Sequence, residues 1–191
     1  ILNEALQSIQ GSRYERAKAI DKSLVSSGLP SILEDVLNEA GNPGQISRTH
    51  FARVIKSKNI CPSVHEVFKK YLVPGKPGFV EHKWVRLNDA INWIKCAGGQ
   101  AVLAHPARYK LNEVVLYALL DNFYDLGGRA IEVATGSHSN ADIERFQIIA
   151  NKSNFEASRG SDFHRPNESR FDVGVAPVLP HSTSPVWGRW M

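Results

Sequence analysis

Two cysteines in 191 residues, Cys61 and Cys96, supply neither a disulfide framework nor a paired-thiolate metal site. A reducing compartment, the cytoplasm, is therefore the expected location. No apolar run approaches the roughly 20 residues of a membrane span, and no signal-peptide pattern is present, so no membrane partner is expected. Absent too are a nucleophile elbow with a Ser/His/Asp arrangement, a Walker loop and a dinucleotide fingerprint. Those absences remove three common enzyme classes from consideration. Internal repeats and low-complexity tracts are lacking. So is an initiator Met: the sequence opens at Ile1 inside an amphipathic helical pattern and reads as the remainder of something longer.

What is present is ordinary in bulk. Apolar residues make up 42% and charged residues 22%, and the net charge is +4. A mildly basic balance suits a phosphate-bearing substrate and suits many other proteins equally.

The order of patterns is more telling. Leu2, Ala5, Leu6, Ile9, Ala17, Ile20 and Leu24 follow helical spacing over residues 2–27, with Gly28 as the stop. Ser31–Glu34 and Ser63–Glu66 each read as a capping box, opening helices to Gly41 and to about Leu72. Ser47 to Lys58 reads as a further helix. Residues 1–80 are thus expected to be all-helical, with Pro74–Gly78 breaking the pattern near the boundary. From Leu87 onwards helices alternate with short apolar runs at 100–104, 130–133 and 155–158. That alternation predicts parallel strands with right-handed crossovers over residues 81–191, an α/β class.

Chemistry-bearing side chains follow each predicted strand: His105, then Glu132 with Thr135, then Asp162 and His164. Sites in α/β sheets form at the C-terminal strand ends. A carboxylate and an imidazole two residues apart on the Ser158-Arg159-Gly160-Ser161-Asp162-Phe163-His164 loop are standard ligands for a divalent ion. An Asx turn with a surface histidine competes with that reading. His105 alone fits a core histidine; joined to the Asp162/His164 loop it fits a ligand better. For Glu132, a strand carboxylate that burial would penalise unless paired, three roles stand level: support for a ligating histidine, substrate contact, or an arginine partner. Arg108, His50, Arg53 and Lys76 are phosphate-binding candidates, each weak by itself. At most three metal ligands are visible, so the site reads as incomplete.

Three of these segments resemble the later motifs of the PHP (polymerase and histidinol phosphatase) family. They are Ala101-Val102-Leu103-Ala104-His105-Pro106 with Arg108-Tyr109, Gly128 with Ala130-Ile131-Glu132-Val133, and Ser158 with Gly160-Ser161-Asp162-Phe163-His164 and Pro166. Within that family the likeness is to the TrpH/YciV-like branch of RNase AM-type exoribonucleases and nucleoside 3′,5′-bisphosphate phosphatases. Thr49-His50-Phe51-Ala52-Arg53 and Val67–Leu72 resemble that branch's helical insertion. The resemblance implies the C-terminal part of a distorted (β/α)7 barrel, about three parallel strands with their helices, plus an all-helical insertion subdomain. It implies hydrolysis of phosphoester bonds in nucleotides or short RNA by metal-bound water. The cofactor would be divalent, Mn2+ first, with Zn2+, Fe2+ or Mg2+ as alternatives, and the ligands His105, Asp162 and His164.

The family's opening His-x-His motif and its next ligands have no counterpart in this sequence. The chain is accordingly expected to be an incomplete, inactive portion whose partner is the missing N-terminal half of the barrel. An open sheet edge would invite self-association. A non-catalytic PHP-like binding or assembly module and an amidohydrolase-type C–N hydrolase are the competing readings.

Overall fold

The computed structural model describes residues 1–82, 84–166 and 169–190. The chain divides into two compact units, Ile1–Trp84 and Val85–Met191.

The first unit is helical: α1 (Leu2–Ser26), α2 (Leu33–Ala40), α3 (Arg48–Ser57) and α4 (Val64–Val67), which runs on as a π-helical turn over Phe68–Leu72. Its core gathers Leu24, Ile32, Val36, Phe51, Ile55, Val67 and Leu72, all essentially fully buried. Only the second half of the α1 stripe reaches that core, through Ala17, Ile20 and Leu24. Leu2, Ala5, Leu6 and Ile9 stay half-buried or exposed, because nothing else in this unit covers them.

The starts of the helices refine the capping pattern. Ser63 caps α4 as expected, its oxygen accepting from the Glu66 N–H at 3.2 Å. Ser31 does not cap α2. The buried Asp21 of α1 takes that task, accepting from the Ile32 N–H at 2.8 Å and from the Ser31 hydroxyl at 2.7 Å. A carboxylate brought in by packing satisfies a helix-start donor and complements its partial positive charge, leaving the local serine a spectator.

The second unit is a parallel three-stranded sheet in the order β1-β2-β3, with β1 Val102–Leu103, β2 Ala130–Thr135 and β3 Glu156–Gly160. The helices are α5 (Leu87–Cys96), α6 (Glu113–Asp125) and α7 (Asn140–Lys152). Leu103 pairs with Ile131, and Ile131 with Ala157. The strand-and-helix alternation of the sequence is therefore a parallel βαβαβ arrangement. The first strand is shorter than the apolar run at 100–104 suggests. Asn112 caps α6 and Ser139 caps α7, the latter in a capping box with Asp142. Phe146, Ile131, Val133, Leu120 and Ala157 form the core. A bulge at Val133 shifts the β2–β3 register, so that Ala134 faces Arg159 and Thr135 faces Gly160. No helix among the described residues is long and apolar enough to cross a membrane.

Candidate metal and phosphate site at the strand ends

Because the three strands are parallel, the residues after each of them share one edge of the sheet. β1 ends at Leu103, and His105 follows in the left-handed region with φ 33°. Asp162, two residues beyond β3, is left-handed as well, with φ 54°. Non-glycine residues pay about 1 kcal/mol or more for that conformation, and it is held only where surrounding contacts enforce it. In both loops the residue so held is one that the sequence singles out for metal binding.

The contacts that enforce it can be named. The His105 N–H donates to Glu132 Oε2 at 2.7 Å. Glu132 Oε1 lies so near Gly160 that a Cβ there would stand 2.8 Å from it. The carboxylate in the middle of β2 thus spans from the end of β1 to the end of β3. The contact the structure shows for Glu132 is with the backbone of His105, not with its ring. Glycine at 160 makes room for the carboxylate, and glycine at 136 lets two loops touch, since a Cβ there would lie 2.0 Å from the Ser161 carbonyl oxygen.

Arg108 joins the two loops from outside. Its Nη1 lies 3.2 Å from Asp162 Oδ2, with Asp162 largely buried and Arg108 half exposed. His164 turns back on its own loop. Its Nδ1 bonds the Asp162 carbonyl oxygen at 2.8 Å, and its N–H donates to Ser169 Oγ at 2.7 Å. A ring whose Nδ1 carries the proton presents its lone pair on Nε2, the form in which histidine ligates a metal. The Nδ1 of His105 is buried with no partner, as is the Thr135 hydroxyl. Buried polar atoms are rarely left so. Tyr109 stands edge-on to the His105 ring at 6.0 Å and donates its hydroxyl to the Ala104 carbonyl at 2.9 Å. Burial, reinforced by the Glu132 charge, pushes the Tyr109 hydroxyl above the ordinary tyrosine range.

One residue that sequence reasoning passed over belongs to the frame. His138, 2% exposed, donates from Nδ1 to the Val133 carbonyl at 2.9 Å and accepts at Nε2 from the Ala107 N–H at 3.3 Å. Its ring stacks on Phe146 at 5.3 Å. It pins the turn that carries His105 and Arg108 to the end of β2. Both of its ring nitrogens are already used in these bonds.

His50, Arg53 and Lys76 lie in the first unit. His50 is part of the α3 start, its Nδ1 accepting from the Ser47 N–H at 3.1 Å. Arg53 faces Glu39 at 3.8 Å, and Lys76 is exposed in the 74–78 loop. Within the second unit the strand ends gather His105, Arg108, Glu132, Asp162 and His164. For a divalent ion the strand-end donors fit in kind: a buried orphan imidazole nitrogen, a carboxylate and a correctly tautomeric histidine. They do not complete a site, for no three His, Cys, Asp or Glu side chains among the described residues converge closely enough to hold one.

Known proteins extend this picture. No protein-family model matches the chain. It is 43% identical over 186 residues to a 3′,5′-nucleoside bisphosphate phosphatase of Chromobacterium violaceum, covering 97% of this chain and 65% of that protein. It is 36% identical to the 5′-3′ exoribonuclease Rnm of Escherichia coli, covering 93% and 60%, and 31% identical to a 5′-3′ exoribonuclease of Haemophilus influenzae, covering 97% and 66%. The chain thus spans 60–66% of the length of these relatives. Among solved structures it matches one from C. violaceum, described as an amidohydrolase with sulfate bound and no metal, with a TM-score of 0.85 and 42% identity. That match covers 95% of this chain and 63% of the other. A Bifidobacterium adolescentis protein described as a candidate metal-dependent phosphoesterase shares the fold, with a TM-score of 0.70 at 20% identity over 94% of this chain and 61% of that one.

Proposed function

We propose that the chain belongs to the PHP family, in the branch of the bisphosphate phosphatase and exoribonucleases it is similar to, and that the whole protein hydrolyses phosphoester bonds in 3′,5′-bisphosphate nucleotides or at the 5′ ends of short RNA. The observation that carries this reading is the strand-end cluster. One carboxylate, Glu132, sets the loop that carries His105 and crowds Gly160 just before the loop of Asp162 and His164, and His105 is left with an unpartnered buried nitrogen.

His105, Asp162 and His164 are assigned as metal ligands, with the remaining ligands supplied by the part of the relatives' length that lies outside these 191 residues. In that reading the first unit is the helical insertion, and the second is the closing part of a distorted (β/α)7 barrel. A divalent ion bound there, Mn2+ by preference, would bring the pKa of a coordinated water towards about 7 and offset the charge of the phosphoryl group. This chain's own groups do the rest. Glu132 and His138 hold the His105 turn in place. Asp162 orients the Arg108 guanidinium, whose other N–H groups face solvent and can meet phosphate oxygens. His50, Arg53 and Lys76 are assigned to the substrate's phosphates in the assembled protein. The 191-residue chain alone is inactive and binds metal weakly, because its ligand set is partial.

The test is phosphate release from a 3′,5′-bisphosphate nucleotide by the whole protein, with and without Mn2+. Asp162→Ala abolishes the Mn2+-dependent release; activity that survives it refutes the ligand assignment. The C. violaceum structure described as an amidohydrolase favours one second reading, hydrolysis of a C–N bond at the same ligands. Release of ammonia or amine without phosphate would establish it.

A further inference from the structure

Within the first unit, three arginines gather where the start of α3 meets α1. Arg13, Arg16 and Arg48 line one narrow cleft together with Ser47 and Phe51. Arg16 donates from Nε to the Val80 carbonyl at 3.0 Å, and Arg48 donates to the Leu72 carbonyl at 2.9 Å while its guanidinium lies 5.8 Å from the centre of the Phe79 ring. Among the described residues no carboxylate lies within ion-pair distance of any of the three. Guanidinium groups packed side by side without anions repel one another. The fold tolerates this at a cost, visible in the Arg16 guanidinium, which burial and the neighbouring Arg48 hold below its usual range. The Arg16 bond to its carbonyl places Val80 at the same cleft, and His82 lies near Arg16 and Arg13 as well. There His82 meets the Trp84 ring edge-on at 4.7 Å, and Trp84 is 76% exposed. Burial first, then Arg16 and Arg13, hold the His82 imidazole below the ordinary histidine range.

We propose that Arg13, Arg16 and Arg48 with Trp84 form a track for single-stranded RNA, the arginines meeting phosphates and the indole stacking on a base. The choice of RNA rests on the reading of the whole protein as a nucleotide- or RNA-directed phosphoesterase. The chemistry narrows it further. Forked donors without carboxylate partners suit phosphate oxygens. An exposed indole suits an unpaired base, which a duplex does not offer. The cleft leaves only about 20 Å3, room for about one water, so it cannot enclose a nucleotide. The strand must pass over its rim, as a backbone-tracking surface requires. Such a track would separate a protein that engages RNA beyond its terminal residue from one that takes mononucleotides alone.

The test measures fluorescence anisotropy of a 5′-phosphorylated, single-stranded oligoadenylate of about ten nucleotides on the 191-residue chain in EDTA, across a salt series. Arg13→Ala and Trp84→Ala change half-exposed or exposed side chains with no structural hydrogen bond, so folding is preserved. Each is expected to weaken binding at least fivefold, and Arg13→Ala to lower the salt slope by about 0.7. Lys18→Ala, which removes the same charge from a lysine already paired with Glu15 at 2.7 Å, is expected to bind like the wild type. Equal affinity in all four proteins overturns the track, as does polyglutamate competing as well as RNA. The enzymatic reading is judged separately, by bisphosphate hydrolysis in the whole protein. Hydrolysis without variant-sensitive RNA binding removes the track alone. Variant-sensitive binding without hydrolysis removes the enzymatic reading and leaves the track.

Discussion

The N–H of His105 donates to Glu132 Oε2 at 2.7 Å, so the loop residue two places past one strand is fixed by the carboxylate of the next through its backbone. That leaves the imidazole free for another task. Glu132→Ala removes the acceptor of a part-buried N–H and the support for a left-handed residue. A loss of about 1–3 kcal/mol is expected in urea unfolding. Glu132→Gln keeps an oxygen acceptor and should lose less than half as much. Equal losses would mean that the charge, not the hydrogen bond, holds the turn.

Close approach at the sheet edge can be tested at two glycines. A Cβ on Gly136 would lie 2.0 Å from the backbone oxygen of Ser161, which cannot rotate away; on Gly160 it would meet only the Glu132 side chain, at 2.8 Å. Gly136→Ala is expected to destabilise by on the order of 3 kcal/mol, and Gly160→Ala by about 1 kcal/mol. Combined with Glu132→Ala, the Gly160→Ala cost should vanish, because the group it displaces is gone. Additive losses in that double-mutant cycle would refute the link between Glu132 and the third loop.

Asp21 tests the first unit. Its carboxylate caps α2 by accepting from Ile32 N–H and Ser31 Oγ while 8% exposed. Asp21→Ala is predicted to cost about 1–2 kcal/mol and Ser31→Ala a few tenths. Thermal unfolding of both variants decides which residue caps the helix.

The misassigned cap shows what could be read in the sequence and what could not. Helices, strands and their parallel order followed from periodicity and caps, as did the shared edge of His105, Asp162 and His164, since these depend on local pattern and on a chirality rule. Asp21 reaches its helix through tertiary packing ten residues away, which no local motif encodes. His138 was invisible for the same reason: its partners, Val133 and Ala107, are brought to it by the β2 end and the His105 turn. For Glu132 the sequence exposed a conflict, a carboxylate in an apolar strand. A backbone N–H from a neighbouring loop, brought there by the tertiary fold, meets that carboxylate. The arginine cleft went unread because its members come from positions 13, 16 and 48.

Tyr109 reports on Glu132 spectroscopically. Burial raises its pKa first and the Glu132 charge adds to it, while its hydroxyl bonds the Ala104 carbonyl. A folded-state value above the unfolded one, about 10, means that the folded protein holds this proton longer. Stability from this group is complete below about pH 10 and is lost as pH rises through the folded value. Glu132→Gln removes the negative neighbour but leaves the burial, so the Tyr109 value should fall part of the way towards the ordinary range. The alkaline loss of stability should shrink accordingly. The measurement is the ultraviolet tyrosinate titration of each protein minus that of its Tyr109→Phe counterpart. An unchanged Tyr109 transition in Glu132→Gln would mean that burial acts alone.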